Sequence, residues 1–250
     1  MNRTGLVIAL AVAAVGGLIF GLFPQLDIAI SRYFFDRFGG QFPKPGETME
    51  IVRNFYSLLI AALVMPAFFA ILIKVLRPRL PIPIPGRAVV FLIATIALGP
   101  GLMTNVIFKD HWGRARPYAV SEFRGAERFT PWWDPRGACT GNCSFIAGEP
   151  SGAFWTFAPA AVLVPAPYRV AAYAGAAAFG AIVGVGRVAY GAHFFSDVIF
   201  AGVFMFLLVW VMHGLIYRWP ATRLSDRKIE KDIAELPSWF GPSRRKRRAR

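Results

Sequence analysis

LVIALAVAAVGGLIFGLF, residues 6–23, carries no charged side chain over a length that spans a bilayer. A hydrocarbon core about 30 Å thick takes about 20 apolar residues as a helix. This stretch puts the chain in a membrane unless it is removed as a signal peptide. The signal-peptide reading has Asn2 and Arg3 ahead of the apolar run. No small-x-small cleavage pattern follows the run, so an uncleaved helix is expected.

Five more stretches read as spans. They are residues 57–76, with Pro66 as a kink; residues 88–108, interrupted by Gly99-Pro100-Gly101; and residues 152–164, short unless the helix begins near Phe145. The last two are residues 170–186, rich in Ala and Gly, and residues 194–217, long and aromatic. The expected fold class is all-α, a polytopic bundle of six transmembrane helices. Composition agrees: of 250 residues, 56% are hydrophobic and 17% charged, and the mean hydropathy is +0.48. Disorder and a collagen-like fibre are excluded, and two Cys cannot staple a chain of this length. The net charge of +14 suits an anionic lipid surface or a nucleic acid equally and decides nothing alone.

Lys and Arg set the expected orientation. The tail with Arg244, Arg245, Lys246, Arg247, Arg248 and Arg250 stays in the cytoplasm, and six crossings put the N-terminus with it. Arg77, Arg79 and Arg87, and the short link over residues 165–169, fall on the same side. The loop over residues 24–56 mixes Asp27, Asp36, Glu47 and Glu50 with basic residues and falls outside. Residues 1–217 then form the membrane domain and residues 218–250 a basic cytoplasmic tail. On a membrane chain this tail reads as a topology anchor drawn to anionic lipid, with no nucleic-acid partner expected. Within it, residues 225–235 have the mixed charge of a surface helix. Pro81-Ile82-Pro83-Ile84-Pro85 is a stiff connector.

The largest outer loop, residues 109–149, breaks the rule that basic residues stay inside. It opens with Lys109-Asp110-His111-Trp112-Gly113-Arg114-Ala115-Arg116-Pro117. Arg187, His193 and Asp197 fall on the same outer face. Lys109, Arg116 and Arg187 are suited to cradle a phosphate dianion, Arg as a planar fork and Lys as a point charge. His193 and Asp197 stand four apart at a helix start and share a face, so the carboxylate is expected to take one ring N–H and leave the other nitrogen free to attack.

Lys109-x6-Arg116-Pro117 with Arg187-x5-His193-x3-Asp197 resembles the type 2 phosphatidic acid phosphatase (PAP2) superfamily of membrane lipid phosphatases. The resemblance covers the third to sixth spans and implies His193 as the nucleophile, Asp197 as its orienting partner, and Lys109, Arg116 and Arg187 as phosphate ligands. The family's middle signature, Ser-Phe-Pro-Ser-Gly-His, is altered. One register matches Pro150-Ser151-Gly152 and puts Ala153 at the His. The other aligns Ser144-Phe145-Ile146-Ala147-Gly148-Glu149, with Gly148 at the phosphate and Glu149 in place of the His. The second keeps an ionisable group, because a carboxylic acid of raised pKa can protonate a leaving oxygen, and it resembles the lipid A phosphatase branch. Ala147 lacks the family's hydroxyl, and Gly186 replaces the Ser before Arg187. Both changes leave open lower activity, altered specificity or a noncatalytic phospholipid binder.

His111, Arg114 and Ser151 are accessory candidates. Single Arg residues at a membrane edge, Arg114, Arg124, Arg128 and Arg136 here, also read as snorkelling anchors. His213, sixteen residues past Asp197, falls about 24 Å along the helix, near the opposite face. The small residues from Ala171 to Gly186 read as close helix packing. Cys139 and Cys143 read as a small disulfide loop pinning the approach to Glu149, or as half a zinc site. The chemistry requires no metal and no cofactor.

The resemblance implies removal of phosphate from a lipid headgroup through a phosphohistidine, at the periplasmic face of a bacterial inner membrane. Lipid A is the first substrate reading. Undecaprenyl pyrophosphate, a glycerophospholipid phosphate and a lipid phosphotransferase reaction are the alternatives, and a channel fits poorly because the ionisable residues gather at one face.

Overall fold

The computed structural model describes residues 1–44 and 46–240, and the basic run over residues 244–250 lies outside them. Among the described residues the principal elements are helices: α1 (Arg3–Leu22), α2 (Gln25–Arg37), α3 (Glu47–Leu76), α4 (Gly86–His111), α5 (Gly148–Phe154), α6 (Phe157–Val162), α7 (Arg169–Ala189), α8 (Phe195–Arg218) and α9 (Asp226–Phe240). Five of them, α1, α3, α4, α7 and α8, are long and apolar enough to cross a membrane.

The span expected over residues 152–164 is the pair α5 and α6, separated at Trp155 and Thr156. Pro150 to Ala161 are all buried. Interrupted backbone at membrane depth requires protein around it, and the bundle supplies that. Trp155 is fully buried and its indole donates to Thr95 Oγ1 at 3.0 Å. Gly180 on α7 lets the Phe154 ring approach, since a Cβ there would lie 2.2 Å from Cδ1 of that ring. Of the small residues of α7, Ala176, Gly180 and Gly184 are buried and serve close packing, while Ala171, Ala174, Gly175, Ala177 and Ala178 are exposed.

The interruption at Gly99-Pro100-Gly101 takes the form of a wider helix. Pro100 has no N–H for the ladder, and α4 runs in π-type turns from Ala97 to Phe108. This segment delivers Lys109 to the end of α4.

Two short helices frame the bundle. α2 was not foreseen in the loop over residues 24–56. Its buried residues Asp27, Ser31 and Phe35 recur every four positions and form one face against α7 and α8. At the other end, α9 matches the expected surface helix. It packs on α3 and α4 with Ile229 and Ile233 buried, and Asp226 meets the guanidinium of Arg87 at 2.8 Å.

Candidate active site

Main-chain hydrogen bonds gather the distant motifs. Cys143 N–H donates to the Lys109 carbonyl at 2.9 Å, and Ser144 N–H to the Arg114 carbonyl at 2.8 Å. Tyr118 N–H donates to the Gly191 carbonyl at 3.0 Å, tying the segment after Arg116 to the turn before His193. Gly191 has φ +65° there, a value that favours glycine.

Lys109 and Arg187 sit in the last turns of α4 and α7, where the helix dipole favours positive charge. Lys109 Nζ donates to Asn142 Oδ1 at 3.3 Å. Arg116 Nη2 donates to the Asn142 carbonyl at 2.8 Å and to its Oδ1 at 2.7 Å. Arg187 Nε is buried without a hydrogen-bond partner, 3.4 Å from Glu149 Oε2. The other oxygen of Glu149 lies 3.3 Å from Arg53 Nε. Lys109 and Arg187 are within electrostatic reach of each other, and both are within reach of Arg116 and Glu149. Gly148 borders the ammonium so closely that a Cβ would lie 2.6 Å from Lys109 Nζ.

His193 is buried beside this cluster, within reach of Arg116 and Arg187. Its Nδ1 is 2.7 Å from the Ser144 carbonyl and 3.9 Å from Asp197 Oδ2. Only the first is a hydrogen-bond distance. The expected direct bond from the ring to Asp197 is therefore corrected: a carbonyl oxygen fixes the tautomer, with Nδ1 as the donor. The reason is that Asp197 is engaged elsewhere. As the third residue of α8 it accepts from Phe194 N–H at 2.8 Å, closing its own helix start, and from Ser144 Oγ at 2.5 Å and Arg114 Nη1. Burial pushes the His193 imidazole below the ordinary histidine range, against the opposing pull of Asp197.

Arg114 is corrected too. It is neither an accessory phosphate ligand nor a snorkelling anchor, because its side chain is fully buried. It joins Asp197 to Asp27 of α2, 2.8 Å from Nη2, while Nε donates to the Thr130 carbonyl at 2.9 Å. Asp27 also accepts from Ser196 N–H at 2.9 Å and Ser196 Oγ at 2.6 Å. Burial raises the Asp27 carboxyl, while Arg114 and Ser196 pull the other way. Burial opposes the Arg114 charge, and Asp197 and Asp27 more than offset it.

Other candidates are placed as follows. Ser151 is buried and its hydroxyl donates at 2.7 Å to the carbonyl of Ala147, the residue that precedes α5, so it is engaged by its own helix start. Ala153 is buried as well, so the register through Pro150-Ser151-Gly152 puts its residues in the core, and the other puts Gly148 and Glu149 at the cluster. His111 is exposed and its Nδ1 is 2.9 Å from the Val106 carbonyl. A Cβ at Gly186 would meet nothing within 4 Å, so there is open space for a side chain there. Cys139 and Cys143 are joined as a disulfide, which closes the half-zinc-site reading. Asn142 stands inside that ring with φ +50°.

Sequence reading missed Asn142, Arg53, Asp27 and the two roles of Ser144. Asn142 had one signal, its place between Gly141 and the second Cys. Arg53 and Asp27 had none, because each meets its partners only across the bundle.

The PAP2 superfamily model matches residues 88–222, more than half of the chain. A lipid A 4'-phosphatase of Francisella tularensis subsp. novicida is 31% identical over 226 residues, covering 87% of this chain and 98% of the relative. A lipid A 4'-phosphatase of Rhizobium leguminosarum is 39% identical over 107 residues, 43% of this chain and 46% of the relative. One of Rhizobium etli is 39% identical over 106 residues, 42% and 41% of the two chains. No solved structure matches. With a family match over the segment that holds the cations and His193, and a relative aligned over almost its full length, this chain belongs to the PAP2 superfamily and is a membrane-embedded phosphatase of that superfamily.

Proposed function

We propose that this protein removes the 4'-phosphate of lipid A through a phosphohistidine, at the periplasmic face of the bacterial inner membrane. One arrangement supports this reading above all: Lys109, Arg116 and Arg187 converge beside a buried His193 whose Nδ1 is held by a carbonyl. The chain's similarity to enzymes named for lipid A supports the substrate.

The phosphate dianion binds across Lys109, Arg116 and Arg187, displacing Asn142 Oδ1 from the first two. Arg187 exchanges Glu149 for a phosphate oxygen, which frees the carboxyl group next to the leaving oxygen. His193 Nε2 attacks phosphorus in line, the N–P bond forms, and the P–O bond to the sugar breaks. Glu149 is the general acid that protonates that oxygen. A water then attacks phosphorus and passes a proton to Glu149, the N–P bond breaks, and inorganic phosphate leaves. Asp197 acts as a positioning residue through Ser144, Phe194 and Arg114.

A cavity of 270 Å³ adjoins Arg116 and is lined by Tyr118, Glu127, Thr140 and Asn142. Such a polar site suits a hydroxylated headgroup better than an acyl chain. In the membrane, residues 244–250 would rest on anionic lipid at the cytoplasmic face.

The test is phosphate release by the purified protein in detergent, with the lipid product weighed by mass spectrometry. Lipid A should lose its 4'-phosphate, and an alkaline quench, under which phosphohistidine persists, should trap radioactive phosphate from labelled lipid on His193. Turnover of undecaprenyl pyrophosphate or phosphatidylglycerol phosphate with none on lipid A would reassign the substrate. Full activity in His193→Ala would end the mechanism.

A further inference from the structure

A second cavity lies toward the other end of the bundle. α1 and α7 both pack on α8 and leave a crevice between them. Its cavity of 730 Å³ is walled by Ile8 and Val12 of α1, Ala174 and Ala177 of α7, and Phe206 of α8, with Phe157 of α6 at its base. That volume is within the range of about 300–1,000 Å³ typical of small-molecule sites. The walls are almost wholly apolar, as an acyl chain requires.

The mouth is not apolar. Arg169, which begins α7, lines it, together with Asn2 and Tyr173. Arg169 Nε donates to the Val164 carbonyl at 2.9 Å, an arrangement that leaves its terminal nitrogens for another group. Arg218, at the end of α8, donates to the Met1 carbonyl at 3.4 Å and stacks over Trp210. Its Nε and Nη2 are buried without partners, and so is the hydroxyl of Tyr173. Both guanidiniums act electrostatically on His213, so they share one side of the bundle. Among the described residues, neither has a carboxylate within ion-pair distance. Buried donors on unpaired cations are costly unless an anion meets them.

We propose that this crevice binds one anionic glycerophospholipid from the leaflet opposite the phosphatase site. One acyl chain fills the space between α1 and α7, and the phosphodiester accepts from Arg169, Arg218 and the Tyr173 hydroxyl. The site is separate from the catalytic cluster: Arg169 begins α7, whereas Arg187 lies in its last turn and His193 in the link that follows. It does not depend on which lipid is dephosphorylated.

The test uses the full chain in nanodiscs of equal phosphatidylglycerol and phosphatidylcholine. After mild detergent stripping, retained lipid is counted by native mass spectrometry. The wild type should keep one phosphatidylglycerol per protein, preferred about tenfold over phosphatidylcholine. Arg169→Gln with Arg218→Gln should abolish the preference. Ala174→Trp, which fills the crevice and leaves both cations, should lose the retained lipid. Equal retention of the two lipids by the wild type overturns the proposal, and this arm requires no variant to fold. Unchanged phosphatidylglycerol retention in both variants overturns it as well.

Discussion

The Ser144 carbonyl stands 2.7 Å from Nδ1 of His193, and the carboxylate of Asp197 stands farther off, at 3.9 Å. The tautomer of the nucleophile is therefore set by main chain, and Asp197 works on the segment that carries that carbonyl. Ser144→Ala removes only the hydroxyl that donates to Asp197. It should lower kcat by less than about tenfold, whereas His193→Ala should lower it by more than about a thousandfold. Equal losses in the two variants would show that the hydroxyl, and not the carbonyl, orients the ring.

Arg114 carries two buried carboxylates, Asp197 and Asp27. Removing one partner of a buried ion pair costs about 3–5 kcal/mol, because the other charge is left uncompensated. Arg114→Gln should cut stability by that amount and Asp27→Asn by less, measured as loss of Tm in detergent. An Arg114→Gln variant with normal Tm and raised KM would return Arg114 to the phosphate ligands.

The pH dependence follows from His193. Burial lowers its pKa, so the folded protein keeps a neutral imidazole at pH values where an exposed histidine, of pKa about 6.5, is charged. Activity should rise with pH through a limb lying below that value in the kcat/KM profile. The sign for stability is the same. The unfolded chain binds the proton more readily, so the contribution present above about pH 6.5 is lost as pH falls toward the folded value. An acid limb at or above 6.5 contradicts this.

Gly148 borders Lys109 Nζ at the distance where a methyl group displaces it. The ammonium is the end of a flexible chain, so the fold should tolerate Gly148→Ala with little change in Tm. KM for the phosphorylated lipid should rise about tenfold or more as the cation leaves its seat. An unchanged KM would remove Lys109 from the phosphate site.

The ring closed by Cys139 and Cys143 contains Asn142, whose oxygens occupy Arg116 and Lys109. Reducing the disulfide releases that loop. Substrate affinity should change more than kcat, since His193 and Glu149 are held by other segments. Initial rates with and without reductant, over a range of substrate, give the split. A fall in kcat at constant KM would place the loop in the chemical step.

Sequence alone determined the membrane class, five of the six apolar stretches that fold as helices of spanning length, and the residues of two motifs. Those properties depend on composition, on runs of apolar residues and on fixed spacings, all of which are local. The helix at residues 225–235 was legible for the same reason. α2 was not, because its apolar face includes Asp27, a carboxylate that reads as a loop residue until Arg114 is seen opposite. Tertiary structure decided which charges face one another. It put Arg114 in the core, left Arg116 and Arg187 at the cluster, and brought Arg53 and Asn142 to the same place. A spacing rule cannot separate a cation that neutralises a buried carboxylate from one that awaits a ligand. Desolvation and partner count make that distinction, and both arise only when the helices pack.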